Sequence, residues 1–237
     1  MKRLALILAA GVLAAPAVAE AGKVDVMVVG RAKVIVPATP VTLKARFVGL
    51  EGRRCAIGRA TPLSVLAGTG ARFRLVDYGA CSRKPRDAGA LYVSRIGPDR
   101  ERGSDGWVYK VGRKVGTAGA ADPAGPFGNG RKLRPGQPVL WFWCVKDARQ
   151  QCQRTLETSS AATIAPGAPL AVTVRGYDEQ GRGVPVAGAT VRLGDATALT
   201  GADGVATVAA PAVAGPVALE AVKAGLVQSF PRTIEVR

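Results

Sequence analysis

The sequence predicts a mainly β chain in two domains with one short helix, on three observations. Apolar residues recur in short runs of period two, separated by glycine, proline and asparagine turns, rather than in long 3.6-residue patterns. The net charge of +16 is uneven: residues 20–160 hold 25 Lys or Arg against 11 Asp or Glu, whereas residues 161–237 hold 6 against 6. All four cysteines and all three tryptophans also precede residue 160.

Residues 1–19 read as an export signal peptide. Lys2 and Arg3 open it, Leu4 to Leu13 is its apolar stretch, and Ala17-Val18-Ala19 is a small-residue cleavage site. The stretch stops at Pro16, short of the roughly 20 residues a membrane span needs. Secretion with cleavage after Ala19, and no later transmembrane segment, are therefore expected. Four cysteines in an exported chain read as two disulfides. Cys144 and Cys152 flank a short turn, so Cys144–Cys152 is the expected pair and Cys55–Cys81 the other. The chain has no CxxC spacing and no histidine, so neither a metal site nor another cofactor is expected. Ser-His-Asp and Cys-His catalysis lack their imidazole. A carboxylate pair among Glu51, Asp77, Asp87, Asp105 and Asp147 is the remaining hydrolytic route. Most of these fall in turns and no motif links them, so the chain reads as a non-enzyme.

Lys23 to Val29 alternates as a strand and Val41 to Val48 is a second, with Pro37 to Pro40 a turn or an edge between them. Glu51 to Arg54 is a polar turn delivering Cys55. Thr61 then suits an N-cap and Pro62 the first helical position; Leu63, Val65 and Leu66 supply an apolar face and Gly68 a stop. Arg72 to Tyr78 alternates basic with apolar residues as a half-buried strand, Leu91 to Ile96 is another, and Gly97 to Asp105 is a polar turn.

Gly103 to Glu157 is the body of the first domain. Trp107, Tyr109 and Val111 share one strand face; Val108 and Lys110 take the other. Val139 to Val145 is apolar on both faces and therefore central in its sheet or covered on both sides. A hairpin with Cys152 to Leu156 is expected. Between these strands, Thr117 to Lys132 is too long for a plain turn. It lacks the phosphate-loop spacing G-x-x-x-x-G-K-[ST], and Asn129-Gly130 reads as a hairpin closure. Residues 158–168 are small, polar and proline-containing, and read as a linker between domains at 23–157 and 169–237. Five short strands are expected beyond it: Pro169 to Gly176, Ala187 to Leu193, Val205 to Ala209, Val217 to Ala224 and Ser229 to Val236. Their spacing suits an all-β sandwich. One carboxylate at Asp203 is too few for calcium.

The order Thr61-Pro62-Leu63, Tyr92-Val93-Ser94-Arg95-Ile96, Gly106-Trp107-Val108-Tyr109-Lys110-Val111, then Leu133-Arg134-Pro135-Gly136-Gln137 before Leu140-Trp141-Phe142, resembles the transcobalamin-like C-terminal domain family over about residues 50–145. Gly112-Arg113 and Gln137 depart from the family pattern, both in turns. The resemblance implies a β-grasp-like α+β sheet with one helix, and a tetrapyrrole-like or other small soluble ligand. In the corrinoid carriers of that family the domain works against a large helical domain that is missing here. Residues 170–237, with VPVAGATVRLG and ALTGADGVATV, resemble carboxypeptidase-regulatory-like and bacterial Ig-like modules. That implies a small Ig-like or prealbumin-like β-sandwich.

Tyr92, Trp107, Tyr109, Phe127, Trp141 and Trp143 are the candidate ligand surface, since exposed aromatics anchor planar ligands and sugars; core packing is the competing role. Arg113, Lys114, Arg131 and Lys132 come together as a cationic rim if the long loop folds back. The other basic residues are scattered rather than interleaved with aromatics, so no nucleic-acid partner is expected. The expected activity is a monomeric, secreted binding protein for a small ligand or a cell-envelope component, with the second domain as spacer or contact module. The alternative is an adhesive protein held electrostatically on anionic envelope polymer. Cross-links of this kind add about 2–4 kcal/mol each. Reductant is expected to lower the calorimetric melting transition of the first domain and leave that of the second unchanged; an unaltered thermogram refutes the framework.

Overall fold

The computed structural model describes residues 22–237, so the expected signal peptide lies outside the described residues. The N-terminal part runs β1 (Lys23–Val29), β2 (Val34–Thr42), β3 (Arg46–Leu50), β4 (Arg53–Ile57), helix α1 (Pro62–Leu66), β5 (Phe73–Asp77), β6 (Leu91–Ile96), β7 (Asp99–Arg100), β8 (Gly106–Val111), β9 (Lys114–Val115) and β10 (Val139–Cys144). Five of these strands form one mixed sheet in the order β2-β1-β10-β8-β9. Its central pair, β1 and β10, is parallel, and its other pairs are antiparallel. Strands β3 and β4 make a separate hairpin, and β5-β6-β7 a three-stranded sheet.

The helix starts where its capping residues require. Thr61 Oγ1 accepts from Ser64 N and Ser64 Oγ accepts from Thr61 N, each at 3.2 Å, with Pro62 in the first turn. All five helical residues are buried. Leu63 and Leu66 join Val26, Val28, Trp107, Tyr109, Trp141 and Trp143 in the core on the front of the mixed sheet. On its back, Met27, Leu140 and Phe142 pack against Val227 and Phe230 from the C-terminal part. Covered on both faces, β10 has no exposed residue.

Beyond β10 the strands are β11 (Thr155–Ser159), β12 (Thr163–Ile164), β13 (Pro169–Tyr177), β14 (Gly183–Pro185), β15 (Thr190–Leu193), β16 (Ala196–Leu199), β17 (Val205–Ala209), β18 (Gly215–Val222) and β19 (Arg232–Val236). One sheet is built on β13, which pairs β11, β14 and β17; the other runs β12-β19-β18-β15-β16. Leu170, Val172, Val191, Leu193, Val208, Leu219 and Ile234 form the core they share.

Four expectations are corrected. Val41 to Val48 is two strands: Leu43 turns into the core and the exposed Lys44 and Ala45 break the alternation. The polar turn at Glu51 shrinks to Glu51-Gly52, both at positive φ, and Arg53 already belongs to β4. The hairpin of Val139 to Val145 with Cys152 to Leu156 does not form, because β1 and β8 occupy both edges of β10. Thr155–Ser159 pairs β13 instead, and Thr163–Ile164 pairs β19, so residues 158–168 are partly strand rather than plain linker.

Both expected disulfides are present, with Cα–Cα distances of 5.4 Å for Cys55–Cys81 and 5.1 Å for Cys144–Cys152. Two disulfides fit an oxidising compartment. Among the described residues no helix is long and apolar enough to cross a membrane.

Lys110, only 1% exposed, points from the back of β8 into the junction with the C-terminal part. Its three ammonium protons meet Thr155 Oγ1 at 3.0 Å, Tyr177 O at 2.9 Å and Asp178 O at 2.8 Å. Burial lowers its pKa to about 8, with Asp178 and Glu179 opposing the shift. An unfolded lysine keeps its proton to about pH 10.4, so between these values the unfolded chain binds more protons and stability rises with pH. The slope is about 1 kcal/mol per pH unit. Burial raises Tyr92 to about 12 and raises Tyr109 as well, so stability falls again above about pH 10, where unfolded tyrosines ionise. Urea unfolding between pH 8 and pH 10 checks this: Lys110→Met is expected to flatten the rise, and an unchanged slope excludes the assignment.

Candidate functional site

Four of the six candidate aromatics take the competing core role, so they form no exposed ligand surface. Trp107, Tyr109, Trp141 and Trp143 are buried. Trp107 and Trp143 pack edge to face at 5.7 Å, and Tyr109 and Trp141 lie 5.3 Å apart. The reason is area: a sheet covered on both sides has no free face on which to display large rings. Trp107 Nε1 donates to Asp99 O at 2.9 Å, which closes its polar edge. Tyr92 is half-buried on the separate β5-β6-β7 sheet beside Tyr78. Phe127, also half-buried, is the one member of the set that faces a groove bearing the expected rim.

That groove, of about 660 Å³, runs between the Thr117 to Lys132 loop, the β8–β9 hairpin and the turn after β13. Val111, Val115, Pro126 and Phe127 give it apolar surface; Lys114, Arg131, Lys132 and Arg134 supply positive charge. All four cations are exposed, and among the described residues none has a carboxylate within salt-bridge distance. Glu179 also borders the groove. Its carboxylate accepts from Cys152 N at 2.9 Å and lies 3.6 Å from Lys146 Nζ, so it is already engaged.

The rim differs from expectation at one position. Arg113 turns away: Nε donates to Glu157 Oε2 at 2.9 Å, and its guanidinium lies over the Tyr177 ring at 4.5 Å. Arg134 takes its place. The Arg134-Pro135-Gly136-Gln137 turn is held by Arg134 N donating to Gln137 Oε1 at 2.8 Å and Gly136 N to Lys23 O at 2.9 Å. A basic residue in the turn that leads into β10 was the available signal for it.

Tyr109 builds the groove from below rather than lining it. Its phenol donates to Ala118 O at 2.7 Å, with Pro126 O at 3.1 Å, and so ties the start and the middle of the loop to β8. The ring lies where a Cβ on Gly116 would stand, so only glycine fits there. Asn129-Gly130 joins no paired strands, which corrects the expected hairpin closure: Asn129 Oδ1 accepts from Arg131 N at 3.1 Å and turns the chain locally.

Three other hollows sit at the junction, and each holds cations as well. One of about 750 Å³ contains Arg31, whose backbone N–H donates to Asp99 Oδ2 and whose guanidinium lies 5.8 Å from the Trp143 ring. Its other cation, Lys146, is the one beside Glu179. A second, of about 570 Å³, contains the Arg113–Glu157 pair together with Arg175 and Arg232, which donate to Gly183 O and Thr158 O; a third, of about 320 Å³, is bordered by Arg31, Lys33 and Lys223.

The carboxylates weighed for hydrolysis are dispersed. Asp77 accepts from Cys81 N and Gly79 N, Asp87 from Ser82 Oγ, and Asp105 from Lys146 N. Asp147 accepts from Gln151 N and Arg149 N, which hold it below the usual carboxylate range. Glu51 occupies its turn.

Tyr109→Phe removes the loop's tether and leaves the Ala118 carbonyl unpaired, while Pro126 O still accepts from Thr117 N and Ala118 N, and is expected to cost about 1–3 kcal/mol. Gly116→Ala forces the ring aside at a similar cost. Urea unfolding measures both, and trypsin is expected to cleave at Arg131 or Lys132 faster in each variant; wild-type cleavage rates exclude the tether. No family model matches this chain, and neither does any curated protein or solved structure.

Proposed function

We propose that this chain is an exported, non-enzymatic, monomeric binding protein whose cationic groove takes an anionic small ligand with an apolar body. The observation that carries this is the set of four unpaired cations around apolar surface at Phe127, Val111 and Val115. Burying apolar ligand surface supplies affinity, and charge-assisted hydrogen bonds to Lys or Arg orient the anion. The β2-β1-β10-β8-β9 order, with a central parallel pair and α1 on one face, supports a β-grasp-like reading of residues 23–157. Two sheets around one core support an Ig-like sandwich at 169–237, which forms one wall of the groove through Glu179 and Gln180.

A propionate-bearing tetrapyrrole combines the planar apolar body and the negative charge the groove asks for, and is the ligand class implied by the transcobalamin-like resemblance. The probes are protoporphyrin IX, which needs no metal ligand from the protein, and 8-anilinonaphthalene-1-sulfonate, read by fluorescence. Saturable binding is expected. Lys132→Ala with Arg134→Ala is expected to weaken it about tenfold or more, equivalent to at least about 1.4 kcal/mol. Absence of saturation with both probes, or affinity unchanged in the double variant, refutes the groove. Cobalamin is the negative control, with no expected shift in melting temperature.

A further inference from the structure

Arginines that are scattered in the sequence become a row on the β5-β6-β7 sheet. The register sets Arg74 directly opposite Arg95, and Arg95 directly opposite Arg100. Directly opposed residues share a sheet face, and adjacent strands lie about 5 Å apart, so the row crosses about 10 Å of surface. An irregularity in the β5–β6 register makes this possible. It leaves Ser94 unpaired, so that Tyr92 and Arg95 both lie outward while Leu91, Val93 and Ile96 remain buried. Arg72 and Phe73 join Arg74 and Arg95 around a shallow hollow of about 260 Å³. Tyr78, 75% exposed, extends the face, its ring 6.2 Å from that of Tyr92.

Like charges directly opposed across strands destabilise a sheet, and nothing in the described chain offsets the cost. Asp77 is turned to Cys81 N and Gly79 N, Asp99 Oδ2 accepts from Arg31 N, and Glu101 lies beside the Tyr92 phenol. Among the described residues, no carboxylate is within salt-bridge distance of Arg72, Arg74, Arg95 or Arg100. Arg95 Nε donates to Gly97 O at 2.8 Å, which fixes the middle of the row. A local rule broken without internal compensation marks a surface that is completed from outside.

We infer that this face binds a linear acidic polysaccharide, its carboxylates on the Arg74-Arg95-Arg100 row and a sugar ring on Tyr78. The planar guanidinium fork matches a carboxylate bidentately. A flat, open row suits an extended polymer that presents one charge per sugar, whereas a small anion needs enclosure. Single-stranded nucleic acid needs several ring faces for successive bases, and on this face Tyr78 is the one exposed ring among the described residues. The site is separate from the groove around Phe127 and does not depend on it.

The test titrates the full chain with oligogalacturonate by calorimetry at low and high salt. Binding is expected to weaken steeply with salt. Arg74→Ala/Arg95→Ala/Arg100→Ala is expected to lose about tenfold or more in affinity, while its melting temperature stays level or rises as the opposed charges disappear. The charge-matched variant Arg59→Ala/Arg149→Ala/Arg182→Ala and the groove variant Lys132→Ala/Arg134→Ala are expected to bind like wild type. Tyr78→Ala is expected to lose several-fold, an effect that diffuse electrostatic attraction does not produce. Equal losses in the row and charge-matched variants overturn the inference. So does tighter binding of single-stranded DNA than of oligogalacturonate through the same arginines, or absence of oligogalacturonate binding by the wild-type chain.

Discussion

The arrangement of this protein depends on one charged group removed from water. An ammonium in an apolar seam is costly unless every proton finds an acceptor. Lys110 meets that condition with oxygens drawn entirely from the C-terminal part: a hydroxyl on β11 and two carbonyls at the end of β13. No carboxylate forms a salt bridge with it among the described residues, so the partners are geometric rather than ionic. The consequence is positional. If β11 or the end of β13 shifted, Lys110 would be left buried and unsatisfied. The seam of Met27, Leu140, Phe142 and Val227 supplies non-directional burial, and the lysine sets how its two sides align.

The groove follows from the same strand. Tyr109 and Lys110 are neighbours on β8 and so point to opposite faces. Forward, the Tyr109 phenol draws in the Thr117 to Lys132 loop; backward, Lys110 draws in the turn at Asp178. Val115 N donates to Glu179 O at 2.9 Å and holds that turn against β9. The two walls therefore stand on either side of one hairpin, each tied by a buried polar group. The exposed cations on the walls are free to be chosen for a ligand, because the buried tyrosine and lysine already carry the architecture.

Much of this was legible before any coordinates. Lys23–Val29 and Leu91–Ile96 match their expected bounds because period-two alternation is local information. The same holds for the helix, whose N-cap, proline and apolar face lie within six residues, and for both cysteine pairs. The partner of β10 was not legible: the seven residues between Cys144 and Cys152 look like a hairpin turn, while the competing edges come from β1 and β8, far away in the chain. Nor could spacing tell a core tryptophan from a displayed one, since both occupy alternating positions. What decided it was the cover on the sheet's front, where Leu63 and Leu66 of helix α1 pack into the same core as the three tryptophans.

Charge shows the same limit most sharply. Along the chain the arginines look like the composition of a basic protein, with no partner in mind. Pairing converts them: Arg31 lies against an indole, Arg113 against a glutamate and a phenol ring, and Arg154 bonds the carbonyls of Gly176 and Arg182. These are internal uses, and they remove the corresponding cations from any ligand's reach. Among the cations without a carboxylate partner, two groups stand out, one concave with apolar surface and one flat with a tyrosine. A concave site rewards a ligand that can be enclosed; a flat one rewards a ligand that repeats. The net charge of the chain is therefore a poor guide to its partners, and the residual charge left after internal pairing is the physically meaningful one.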